Sequence, residues 1–163
     1  MSAPAFKRPE SVLVVVHTGD RILLMERCSP AGFWQSVTGS LREGESPLQC
    51  AIRELAEETG FEAGGLRDLE VTRRFRIAPE WRHRYAPGVK ENVEHAFALR
   101  LPRALAPKLN PAEHRAHRWM PVAEAVAAAS SWTDRAAMRS ALGLPERPSN
   151  DRPPTPMSGE KAT

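Results

Sequence analysis

Residues 39–61, GSLREGESPLQCAIRELAEETGF, decide how this chain is read. Ser46 is a favourable N-cap, Pro47 suits the first helical position and Gly60 suits the residue just past a helix end, so the stretch predicts a helix over Pro47–Thr59. At roughly 100° per residue, Leu48, Ala51, Ile52 and Leu55 fall on one stripe, expected to pack, while Glu54, Glu57 and Glu58 gather on another face. Glu54 and Glu58 are like charges at i and i+4, a spacing that destabilises an isolated helix by roughly 0.2–0.5 kcal/mol. A hard divalent cation would remove that repulsion, since Mg²⁺ takes a few carboxylate and phosphate oxygens while keeping waters in its shell. Arg53, four residues before Glu57, can hold a carboxylate with a two-pronged contact. The competing reading is a solvated acidic face, which is common on helices.

Outward from this helix, the chain alternates strand and turn signals. Ser11–His17 (SVLVVVH) is a β-branched run, Thr18-Gly19-Asp20 a turn, and Arg21–Glu26 (RILLME) a second strand, together a hairpin. Phe33–Val37 leads into the acidic stretch, and Leu69–Ile77 and Asn92–Leu101 are further strands. Trp119-Met120 predicts a short strand, VAEAVAAA after Pro121 a helix, and Thr133 the cap of a last helix through Leu142. Mixed strands with two or more helices make an α/β sandwich. From residue 143, GLPERPSNDRPPTPMSGEKAT holds five of the fifteen prolines and few apolar residues, so it cannot offset its chain entropy by burial. The expected organisation is one domain over 1–142 and a disordered tail over 143–163.

Composition excludes several classes. The 163 residues fit one domain, and 41% hydrophobic with 26% charged is ordinary for a soluble globular chain. No apolar run reaches signal-peptide or membrane-span length, so a cytoplasmic protein with no membrane partner is expected. Cys28 and Cys50 are too few for a disulfide framework and have no metal-type spacing; both read as reduced thiols, Cys50 in helix packing or at the surface. Net charge is only +3, yet Arg73, Arg74, Arg76, Arg82 and Arg84 crowd one segment with His83. Arginine forks suit phosphate, so this cluster points to a phosphate-rich ligand or a nucleic-acid patch, and charge alone does not separate the two.

Gly39, Glu45, Arg53, Glu54, Leu55, Glu57, Glu58, Gly60 and Phe61 fill every fixed position of the pattern G-x5-E-x7-R-E-U-x-E-E-x-G-U, with U a bulky aliphatic or aromatic residue. On that pattern the chain resembles the Nudix hydrolases. The resemblance implies an α/β/α sandwich with a mixed sheet and a loop–helix–loop catalytic box. It also implies Mg²⁺, with Mn²⁺ as a substitute, and cleavage of a diphosphate joined to another moiety. Outside the box, KRP (7–9), FWQSVTGS (33–40), RHRYAPGV (82–89) and AEHRAHRW (112–119) are similar to bacterial members of the family that act on dihydroneopterin triphosphate, over about Lys7–Ala141.

That closer similarity implies release of pyrophosphate from the pterin triphosphate in folate biosynthesis, with deoxynucleoside triphosphates, dATP above all, as side substrates. The expected partner is therefore a small triphosphate and no nucleic acid. By the same similarity Glu54 and Glu58 are metal ligands, Glu113 reaches the metal from the opposite side, and Lys7, Arg27, Thr38 and Ser131 touch substrate, with Arg74 to Ile77 expected along the pocket. Glu57 shares a second ion, the Gly39 backbone carbonyl approaches a metal, Arg53 orients the carboxylates, and Glu54 or Glu113 is the general base. Trp34, Phe75, Trp81 and Tyr85 are candidates for stacking on a flat ring. His95 and Ala96 stand where the similar proteins lead one to expect a larger aromatic. A general nucleotide-pool diphosphatase and a non-catalytic nucleotide-sensing module remain the alternatives.

Overall fold

The computed structural model describes residues 5–145. The expected tail therefore lies, from residue 146 on, outside the described residues.

The β-branched run beginning at Val12 sits at the centre of β1 (Glu10–His17), a strand hydrogen-bonded along both edges. After the Thr18–Asp20 turn the chain returns as β2 (Arg21–Arg27), antiparallel to β1 through the His17↔Ile22 pair, so the expected hairpin is present. β3 (Trp34–Gln35) pairs with β2, and β4 (Val37–Ser40) runs antiparallel to β1 from Ser11↔Ser40 to Val14↔Val37. Next comes α1 (Pro47–Thr59), with the bounds its caps predict. Ser46 Oγ accepts the Gln49 N–H at 3.1 Å, the Gln49 side chain accepts the Ser46 N–H at 2.9 Å, and Gly60 turns the chain at φ 74°. β5 (Arg67–Arg76) and β6 (Glu91–Arg100) are antiparallel partners flanking a 3₁₀ turn at Pro79–Arg84. β6 lies parallel to β1 along its whole length, from Glu10↔Val93 to His17↔Arg100, which makes the sheet mixed.

β7 (His114–Pro121) is much longer than the Trp119-Met120 pair expected from the sequence. It takes its order from hydrogen bonding to β2, from Arg21↔Pro121 to Arg27↔His114, and not from an apolar run; HRAHR alternates too weakly to announce a strand. The chain closes with α2 (Val122–Ala128) and α3 (Trp132–Ala141). Ser131, not Thr133, caps α3: its Oγ accepts the Asp134 N–H at 3.2 Å, and Thr133 falls inside the first turn. The start of α3 is fixed by Asp134, whose buried carboxylate accepts both the N–H and the hydroxyl of Ser36 at 2.7 Å.

Strand alternation divides the core in two. Val12, Val14 and Val16 pack with Phe97, Leu99 and the α1 residues Cys50, Ala51 and Leu55 on one face. Leu13 and Val15 pack with Ala96, Ala98 and the α2–α3 residues Ala125, Ala137 and Met138 on the other. This is an α/β/α sandwich. One expectation for α1 does not hold: Leu48 and Ile52 are 50% and 43% exposed, while Cys50, Ala51, Leu55, Glu58 and Thr59 are buried. The helix is turned so that part of its acidic side faces inward, where Glu58 accepts the Thr38 N–H at 3.3 Å. No helix among the described residues is long and apolar enough to cross a membrane.

Candidate active site

The loop after β4 and the middle of α1 are tied by one guanidinium. Arg53 Nε and Nη2 donate to the two oxygens of Glu45, both at 2.8 Å, a fork-on-fork pair. Its Nη1 donates to Glu54 at 2.8 Å and Glu57 at 3.3 Å, and Nη2 also reaches the Ser40 carbonyl at 3.1 Å. The Glu45 carboxyl, hydrogen-bonded by Arg53, is held down at about 2, and Arg53 is itself held charged by the same partner. Arg53 thus fixes two carboxylates of the acidic face in place.

Those carboxylates face others. Burial pushes Glu54 up, and Glu57 and Glu113 add to the push against the Arg53 hydrogen bond. Glu58, 3% exposed, is raised well above the ordinary range by burial, then by the charges of Glu54 and Glu113. Carboxyl and imidazole atoms of Glu58, Glu113 and His114 come within 4.8 Å of one another. His114 is buried, and loss of solvent lowers it to about 4, so its ring is neutral at pH 7 and has a lone pair to give. That lone pair is on Nε2, which accepts the Gln35 amide N–H at 2.9 Å; Nδ1 then carries the ring proton and has no partner.

Gly39 completes the wall. A Cβ there would overlap the Glu54 carboxyl, so the side chain can lie against the strand only because residue 39 has none. The Gly39 carbonyl receives the Cys50 thiol at 3.7 Å, which places Cys50 in packing and keeps it protonated, its pKa pushed up to about 12 by burial. Converging carboxylates that raise one another and a nearby carbonyl are a hard-cation donor set of oxygen atoms, and the residues present fit a divalent ion.

These groups open into a cavity of about 1090 Å³. Of the residues singled out in the sequence, Lys7, Arg27, Thr38, Gly39, Arg53, Glu54, Glu57, Glu58 and Glu113 all line it. Protein packed around the Lys7 ammonium and repulsion from Arg84 lower its pKa, and burial and Arg84 do the same to Arg27. Cations that repel one another beside an acidic cluster suit a ligand with several negative charges. Arg27 also stacks over Trp81, its guanidinium carbon 5.5 Å from the ring centre, and Trp81 meets Phe33 edge-on at 5.4 Å. Phe75, Trp81 and Tyr85 line the cavity as well.

Three candidates stand apart from it. Ser131 is occupied as the α3 cap, Arg74 points outward from β5 where its neighbours Arg73 and Phe75 turn in, and Trp34 packs on the opposite face under Arg118. The sequence reading passed over four polar residues that do belong to the neighbourhood: Gln35, Asn92, Glu94 and His114. His114 was signalled by its position directly after Glu113. Asn92 and Glu94 sit two apart in NVEHAFALRL, and two buried polar residues on one face of a strand are the signal that could have found them.

Comparison with known proteins gives the family. A NUDIX domain matches residues 7–141. The chain is 40% identical over 144 residues to the dihydroneopterin triphosphate diphosphatase of Escherichia coli (strain K12), covering 85% of this chain and 95% of that protein. It is 34% identical over 143 residues to the protein of the same name from Haemophilus influenzae, covering 84% and 89%. The solved structure of the E. coli dihydroneopterin triphosphate pyrophosphohydrolase superposes with a TM-score of 0.79, over 85% of this chain and 97% of that one. The chain is a hydrolase that belongs to the Nudix family.

Proposed function

We propose that this Nudix hydrolase releases pyrophosphate from dihydroneopterin triphosphate and leaves dihydroneopterin monophosphate. The observation that carries the proposal is the 40% identity, nearly end to end, with the E. coli protein of that activity by name. The cavity supports it, for its lining combines the cations Lys7 and Arg27 with the aromatic side chains Phe75, Trp81 and Tyr85.

Lys7 and Arg27 bind and neutralise phosphate oxygens at the mouth. Glu54, Glu58, Glu113 and the Gly39 carbonyl would hold Mg²⁺, or Mn²⁺ in its place, Glu57 would share a second ion, and Arg53 keeps the carboxylates aligned. When bound, such an ion would supply neutralisation of phosphate charge and a more acidic water, from a pKa of 15.7 towards roughly 7 in the most favourable sites. Glu54 or Glu113 takes the proton as a water oxygen bonds to the α- or the β-phosphorus and the phosphoanhydride bond between them opens, with the electron pair leaving on the bridging oxygen of the group that is not attacked. Thr38, whose N–H is already spent on Glu58, offers its hydroxyl, now on the Val12 carbonyl at 3.0 Å. Deoxynucleoside triphosphates such as dATP present the same triphosphate and are turned over more slowly.

The test is pyrophosphate release with Mg²⁺ from dihydroneopterin triphosphate beside dATP, for the wild type and Glu58→Ala. Preference for the pterin, lost in the variant, supports the proposal. Equal or faster turnover of nucleotides would move the enzyme to the nucleotide pool, and no turnover of either would leave a nucleotide-sensing module.

A further inference from the structure

We propose that Asn92 and Glu94 are specificity determinants that recognise a substrate ring through an edge with two adjacent N–H donors. The inference rests on the reading of the ligand as a small triphosphate with a flat heterocycle, and deepens it.

Asn92 and Glu94 lie two apart on β6, on one face, and both line the cavity. They are 1% and 5% exposed. The Asn92 Nδ2 donates to Ser11 Oγ at 2.7 Å, so its amide is oriented, and Oδ1 is left buried with no partner. Glu94 takes a hydrogen bond from Thr133, and Arg73 across the strand pair favours its charged form. The carboxylate whose charge acts on Glu94 is Asp134, and no α1 carboxylate is among the groups that perturb it. A buried carboxyl and an orphaned amide oxygen cost folding free energy, and such groups in a native protein call for a partner.

The chemistry of that partner follows from the donor–acceptor inventory. An ionised carboxylate and an oriented amide oxygen only accept, so the complementary edge must only donate. A ring N–H beside an exocyclic NH₂ does so, as in the 2-amino-4-oxo-pyrimidine unit shared by pterin and guanine. Adenine places a donor next to a lone pair, which would meet the carboxylate lone pair against lone pair. Phe75 and Ile77, lining the same part of the cavity, supply apolar surface for the ring faces. Burial, then the charge of Asp134, raise Glu94 to about 7, so a ligand that donates to it also favours the ionised form.

The experiment compares dihydroneopterin triphosphate, dGTP and dATP on the wild type and Glu94→Gln. Glutamine at this position offers one acceptor and one donor, the complement of adenine. The expected result is a rise in KM of roughly tenfold or more for the pterin and dGTP, with KM for dATP unchanged or lower and kcat on dATP kept. Asn92→Ala, folded by its melting curve, gives the same ordering with a smaller factor. Equal loss on all three substrates, or no change on any, overturns the inference. If the wild type fails to hydrolyse the pterin yet Glu94→Gln still shifts preference from dGTP to dATP, the proposed substrate falls and the edge recognition stands.

Discussion

Replacing Gly39 with alanine isolates the fit between β4 and the carboxylate of Glu54. Gly39 has no left-handed backbone angle, so alanine is compatible with the strand, and any effect is steric. Ordinary contacts of a Cβ begin near 3.4 Å, and the overlap at Gly39 is deep enough that the Glu54 carboxyl must retreat. A misplacement of about an ångström in a catalytic group costs on the order of 10²-fold in rate, which is about 2.7 kcal/mol of transition-state stabilisation. Folding should change little, because glycine to alanine at a compatible angle contributes roughly 0.4–1 kcal/mol through the unfolded chain and offsets part of the strain. Gly64→Ala is the control: nothing lies within 4 Å of a Cβ there, and its backbone angle is also ordinary. Steady-state pyrophosphate release and a melting curve on both variants decide the matter. Wild-type kcat in Gly39→Ala would refute the role given to the missing Cβ and, with it, the placement of Glu54 at the reacting centre.

Arg53→Lys keeps the charge but cannot hold Glu45 with a fork and reach Glu54 and Ser40 as well, so kcat should fall roughly 10–100-fold. Glu45→Gln should do similar damage, and the double variant should be no worse than either alone, which a mutant cycle in kcat measures. Glu94 is held near 7 in the folded chain against an ordinary 4.5, so the fold binds its proton more tightly than the unfolded chain does. Stability from this group is present below pH 4.5 and lost as pH rises to about 7. Glu94→Gln should therefore be more stable than wild type at pH 8, by up to about 3 kcal/mol, with the gain fading by pH 4.5 in denaturant titrations. A chain ending after Pro145 should keep kcat and KM, because the last described residues already close α3, Leu144 donating to the Arg139 carbonyl at 2.8 Å.

The parts legible in the sequence are those written locally. Ser46, Pro47 and Gly60 state both ends of α1 through chemistry confined to a few residues, and the Thr18–Asp20 turn states the hairpin. The rotation of α1 was not legible, because hydrophobic periodicity assumes that apolar residues choose the inward face. Here Arg53, Thr38 and Gly39 draw glutamates inward and leave Leu48 and Ile52 in water. β7 is ordered by its partner strand and not by its own composition. Ser131 illustrates a different gap: its hydroxyl accepts the Asp134 N–H at the start of α3, a task that similarity alone does not announce. The approach of His114 to Glu58 depends on the register of β7 against β2, including the shift at Glu26/Arg27, which no local pattern encodes.

The parallel pairing of β1 with β6 also has a consequence during synthesis. Glu10 pairs with Val93, so one edge of the strand carrying Val12 to Val16 is complete only after 83 further residues have been made. At about 5–20 residues per second that is roughly 4–17 s. For that interval the ribosome holds a chain whose most apolar strand has an open edge, the template on which nascent polypeptides aggregate. Chaperone dependence on overexpression, made worse by slower elongation, would be the cellular trace of a sheet whose central strand is made first and paired late.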